Sequence, residues 1–100
     1  MNTRRDVGVK KLEKASRVLK CIAHPVRLRI LELLQGDKSL TVTEMMLTIG
    51  IEQSLLSHHL TKMRDQDVLT SVREGKNIRY HLTDNQITSI FDCIESCSFM

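Results

Sequence analysis

Gly50 is the residue that most constrains how this 100-residue chain can fold. It closes the stretch TVTEMMLTIG (41–50), in which Val42, Met45, Met46 and Ile49 recur at helical spacing. Only Ile51 and Glu52 separate it from QSLLSHHLTKMRD (53–65), where Leu56, Leu60 and Met63 fall at i, i+4 and i+7. A glycine there supplies the left-handed residue that commonly ends a helix. Thr41 and Glu44 stand at the spacing of a capping box, which marks the start of the first helix. Two short helices joined by so tight a turn predict a helix-turn-helix.

The flanking sequence predicts the remaining elements. Leu12, Ala15, Leu19 and Ile22 share one face of a helix from about Val9 to Ile22, with lysines between them. His24 stands just ahead of a second helix, and Pro25 suits its first position, where a missing N–H costs nothing. That helix runs through VRLRILELLQG to a stop at Gly36; Leu28, Ile30, Leu31, Leu33 and Leu34 make it apolar around much of its circumference, as a core helix is. After RDQD, Val68 to Val72 is rich in β-branched residues, and EGKN reads as a turn. IRYHL then alternates, with Ile78, Tyr80 and Leu82 on one face and Arg79 and His81 on the other, so this segment is a β-hairpin. A last helix from Thr83 or Asp84 to about Ser96 carries Ile87, Ile90, Phe91 and Ile94, with Cys97 in the same stripe. The expected fold is mainly α with a β-hairpin wing, in the order α-α-α-α-β-β-α. It forms one domain over residues 1–100, without repeats or a linker.

Charge and cysteine usage narrow the function. The formal charge is only +3, but it is unevenly placed: Arg64, Arg73, Lys76 and Arg79 cluster around the hairpin, and Arg4, Arg5, Lys10 and Lys11 near the start. No apolar run reaches the roughly 18–20 residues that span a bilayer. The opening MNTRRDVGVKKLEK has no apolar segment behind its arginines, so the expected location is the cytoplasm. Three cysteines (Cys21, Cys93 and Cys97) are an odd number, and none forms a Cys-x-x-Cys pair. That argues against a disulfide framework and a zinc ribbon.

The stretch SLLSHHL raises the possibility of a catalytic or metal cluster. His58 and His59 are adjacent, so they lie about 100° apart on a helix and do not chelate one metal in the i, i+4 manner. A Ser/His pair on this helix lacks an orienting acid and an oxyanion site. No nucleophile–base pair, glycine-rich phosphate loop or metal motif points to an enzyme, and no cofactor or metal is expected. Gln53, Ser54, Ser57, His58 and Thr61 fall mostly opposite the buried stripe. Gln bonds adenine in bidentate fashion and Ser bonds several base edges, so this face suits a major groove of double-stranded DNA. His59, beside the stripe, reads as a partly buried histidine hydrogen-bonded to backbone. Arg73, Lys76, Asn77 and Arg79 on the hairpin suit contacts to the DNA backbone or minor groove. A helix-turn-helix followed by a basic hairpin is a winged helix.

LKCIAHPVRLRILELL, IGIEQSLLSHHLTKMRDQDVL and VREGKNIRYHLTD together resemble the ArsR-type family of small dimeric bacterial repressors, from about Leu19 to Leu82. The resemblance implies a homodimer joined through its first and last helices, with Gln53, Ser54, Ser57 and His58 facing operator DNA, expected to be an imperfect palindrome. Glu52 departs from the pattern, since the family often has a serine cap there.

Many relatives bind a metal on the last helix. Here Asp84 matches the first ligand of that pattern, but Gln86, Cys97 and Met100 stand at the others, and Gln and Met are poor zinc ligands. Cys93 and Cys97 are one helical turn apart, and Cys21 ends the first helix. These three are candidates for a thiol sensor of arsenite, persulfide or oxidant; the other reading is that they are small core hydrophobes. Two alternatives stand beside an inducible repressor: a regulator without a small-molecule inducer, and a protein–protein adaptor that does not bind DNA.

Overall fold

A computed structural model describes residues 6–100, so Arg4 and Arg5 lie outside the described residues. The elements are α1 (Val9–Ile22), α2 (Pro25–Leu34), β1 (Leu40–Thr41), α3 (Val42–Ile49), α4 (Gln53–Asp65), β2 (Leu69–Glu74), β3 (Asn77–Leu82) and α5 (Ser89–Ser96), with one 3-10 turn at Asn85–Thr88 before α5. Helix, tight turn, helix and hairpin follow one another as a winged helix-turn-helix requires.

Local chemistry sets the boundaries. Pro25 opens α2, and the His24 ring caps it by accepting from the Val26 N–H at 3.1 Å. The capping box of α3 is complete: the Glu44 N–H donates to Thr41 Oγ1 at 3.2 Å, and the Thr41 N–H donates to Glu44 Oε1 at 2.8 Å. Gly50 ends α3 at φ 81°, a conformation that side chains with a Cβ rarely adopt. Ile30, Leu31 and Leu34 of α2, Met45 of α3, and Leu56, Leu60 and Met63 of α4 are fully buried, and Leu69, Tyr80 and Leu82 close the core from the hairpin. Burying these side chains supplies the main driving force for folding.

Four details depart from the sequence expectation. Leu40–Thr41 forms a short strand, so the hairpin is part of a three-stranded antiparallel sheet in the order β1-β3-β2. The turn is tighter than EGKN: Glu74 pairs with Asn77, leaving only Gly75 (φ 63°) and Lys76 as the loop. The last helix begins as the 3-10 turn, capped by Asp84, whose Oδ1 accepts from the Gln86 N–H at 2.9 Å. On α1, only Ile22 of the expected stripe is buried; Leu12 is 57% exposed and Leu19 52%.

Candidate nucleic-acid interface

Helix α4 presents two chemically different sides. Leu56, Leu60 and Met63 are buried and hold it against the core. On the other side Gln53, Ser54 and His58 are exposed, while Ser57 and Thr61 are half-buried. An open groove runs between this side and the hairpin. Gln53, Ser57 and Thr61 line it from α4, and Lys76 and Asn77 from the wing. Five of the residues singled out from the sequence therefore share one concavity. Ser54, His58 and Arg73 are exposed but do not line it.

Arg64 and Thr43 also line the groove, and the sequence pattern did not place them in the site. Arg64 carried a usable signal, because it lies seven residues after Ser57 and so on the same helical face. Thr43 carried none, since it comes from α3 and reaches the groove only through the fold.

Several polar groups already have partners. The Ser54 hydroxyl donates to Glu52 Oε1 at 2.7 Å, and Glu52 itself makes no side-chain cap to α4. Arg79 is the most committed. Its Nε donates to Glu74 Oε1 at 2.9 Å, and one terminal nitrogen donates to the Ser39 carbonyl at 3.2 Å and faces Glu44 Oε1 at 3.5 Å. The hydrogen bond and charge of Glu74 hold the Arg79 pKa above its ordinary value, with a smaller contribution from Glu44. The Glu44 carboxyl is held below its usual range, first by its hydrogen bonds within the capping box and then by Arg79.

His59 is buried, 4% exposed, but its partner is not backbone: Nδ1 accepts from the Arg27 Nε at 3.0 Å. His59 sits in the middle of α4, where helical backbone groups bond one another, and its imidazole meets a side chain arriving from α2. Arg27 also donates to the Cys21 carbonyl at 2.8 Å, so it ties the end of α1 to α4. The His24 and His59 rings pack with centroids 4.5 Å apart. Burial first, then the neighbouring basic groups His24, Arg27 and His58, hold the His59 pKa below its ordinary value, and near neutral pH the ring is an uncharged acceptor.

The thiols separate into two places. Cys93 near the end of α5 and Cys97, its C-cap, have their Sγ atoms 3.6 Å apart; Cys93 is exposed and Cys97 half-buried. Their hydrogen bond, with partial burial, holds the Cys97 thiol above its ordinary range. Cys21 is buried under Arg27 and Lys62, its Sγ 3.8 Å from the Lys62 carbonyl. No group of three or more His, Cys, Asp or Glu that could hold a metal occurs among the described residues.

Comparison with known proteins places this geometry. Residues 24–71 match the model described as bacterial regulatory protein, arsR family. The chain is 38% identical to the transcriptional repressor PagR of Bacillus anthracis, over 79% of this chain and 79% of PagR. It is 31% identical to the HTH-type transcriptional regulator YgaV of Escherichia coli, over 84% of this chain and 85% of YgaV. Among solved structures it resembles HlyU of Vibrio cholerae with a TM-score of 0.79 at 27% identity, covering 93% of this chain and all of that one.

Proposed function

The chain belongs to the arsR family of bacterial regulatory proteins, a family of DNA-binding transcriptional regulators, and on that premise we propose that it is a repressor that reads its operator as a homodimer. The observation that carries this reading is the groove in which Gln53, Ser57 and Thr61 of α4 face Lys76 and Asn77 of the wing. Gln53, Ser57 and Thr61, with Ser54 and His58 on the adjoining surface, offer the donors and acceptors that read base edges in a major groove. Arg73, Lys76 and Asn77 contact the sugar-phosphate backbone, with Arg64 at the rim of the groove.

The domain spans residues 1–100, and α1 and α5 join two copies. The support is an apolar side of α1 left open: Val9, Leu12 and Leu19 are 73%, 57% and 52% exposed. Their charges also match, since α1 carries Lys10, Lys11, Lys14, Arg17 and Lys20 against Glu13 alone, whereas α5 carries Asp92 and Glu95 and no cation. The operator is an imperfect palindrome with half-sites about 34–36 Å apart, one turn of DNA. The regulator works in the cytoplasm, where that DNA is. Cys93 and Cys97 are the route to release: arsenite bridging the two sulfurs, persulfidation or oxidation changes α5 at the dimer contact and with it the spacing of the two α4 helices. Cys21 contributes as a buried group at the α1–α4 junction.

The test is selection of fragments of the host genome by the purified protein, with and without reductant, followed by footprinting. Enrichment of a shared palindrome protected over two half-sites is expected. Failure to enrich any sequence, or protection of a single half-site by a monomer, would overturn the reading.

A further inference from the structure

Arg79 stands at the last place where the sheet has three strands. Strand β1 pairs with β3 only through Leu40–Tyr80 and Thr41–Arg79. Toward the tip, the pairs Arg73–Ile78 and Glu74–Asn77 belong to a two-stranded hairpin, which is marginal by itself. Lys76 and Asn77 sit on that overhang.

The guanidinium of Arg79 braces it from three sides. It reaches Glu74 on β2, the Ser39 carbonyl just before β1, and Glu44 on α3. The same Glu44 oxygen accepts from the N–H of Thr41, which caps α3 and is the strand partner of Arg79. One planar fork therefore links wing, sheet and the first helix of the helix-turn-helix. We propose that Arg79 is a positioning residue for DNA binding: it sets the angle of the wing against α3 and α4 and makes no phosphate contact of its own. Elevated basicity in Arg79 and depressed basicity in Glu44 agree with this pairing. The carboxylates are well exposed, so the ion pairs contribute little to global stability. Their effect is to remove freedom from the wing before DNA arrives, a cost that binding would otherwise bear.

This inference rests on the DNA-binding reading above, and the experiment separates the two. The full-length chain is titrated against its selected operator across a range of salt concentrations, with urea unfolding of each variant in parallel. Arg79→Lys and Arg79→Ala should both weaken operator binding by roughly two- to tenfold, because lysine keeps the charge but lacks the fork. The salt slope and the unfolding midpoint should stay those of the wild type. Glu44→Gln keeps the capping box and removes the charge; combined with Arg79→Ala it should add little to the single change. Lys76→Ala, by contrast, should lower the salt slope by about 0.9 for each phosphate that goes unneutralised. The proposal is overturned by wild-type binding in Arg79→Lys alongside a reduced slope in Arg79→Ala, the mark of a phosphate contact. It is overturned equally by wild-type behaviour of both Arg79 variants while Lys76→Ala shows its slope change. Wild-type behaviour of Lys76→Ala and Arg73→Ala would instead sink the wing–DNA reading.

Discussion

Arg27→Ala tests how helix α4 is held. In the wild type, Arg27 donates to the Cys21 carbonyl at 2.8 Å and to His59 Nδ1 at 3.0 Å. Truncation leaves both acceptors without that donor. A buried acceptor left unpaired costs about 1–3 kcal/mol. Arg27 also lines an open pocket beside Lys62 and Asp65, so water reaches part of the site and the lower half of that range applies. Two acceptors give a loss of about 2–4 kcal/mol. With a typical urea slope this lowers the unfolding midpoint by about 1–2 M, measured at fixed protein concentration so that the proposed dimerisation contributes equally to every variant. A pH series adds a second readout. The folded His59 pKa is depressed below 6.5, so the unfolded chain takes up a proton that the folded one refuses. The neutral ring's contribution is present in full above 6.5 and is lost as pH falls through the folded value. His59→Gln should flatten that loss. Arg27→Ala should reduce it without removing it, because burial, the largest cause, remains. A midpoint within about 0.3 M of wild type, or no change in the acid slope on His59→Gln, would refute the reasoning.

Gln53→Ala or Ser57→Ala should weaken operator binding by about 1–3 kcal/mol wherever the native side chain reads a base, with little change on scrambled DNA, as measured by fluorescence anisotropy. Thr41→Ala removes the side-chain acceptor of the Glu44 N–H and should cost about 0.5–2 kcal/mol in urea unfolding. Arsenite, a persulfide donor or a mild oxidant should weaken operator binding by wild type and leave the Cys93→Ser/Cys97→Ser double variant unaffected; identical titrations of both proteins would assign the cysteines to packing. Micromolar zinc should not release the DNA, since Asp84 is committed to capping the 3-10 turn and Gln86, Cys97 and Met100 make a poor set for this ion; zinc-dependent dissociation that disappears on Asp84→Ala would contradict this.

Everything that repeats along the chain within a turn or two was readable from residues alone. The stripe Leu56, Leu60, Met63 set the inner side of α4, and with it the outward side of Gln53, Ser57 and Thr61. Pro25, Thr41–Glu44 and Gly50 marked helix ends because each acts through its own backbone or that of a residue within one turn. Alternation in Ile78–Leu82 gave the hairpin its inner and outer faces for the same reason. What depends on residues far apart was decided by packing. Leu40–Thr41 has no strand pattern of its own and becomes one only because β3 offers a free edge beside it. Arg79 carries the same charge as Lys76 in the sequence. Its place opposite Thr41 puts three acceptors around it, while Lys76 is left exposed at the tip. His59 took its partner from α2, 32 residues away, a pairing that no local spacing announces. Leu12 and Leu19 showed the helical spacing of a core face, yet they stay exposed. Periodicity reports that a side needs covering; only the tertiary arrangement shows that nothing among the described residues covers it.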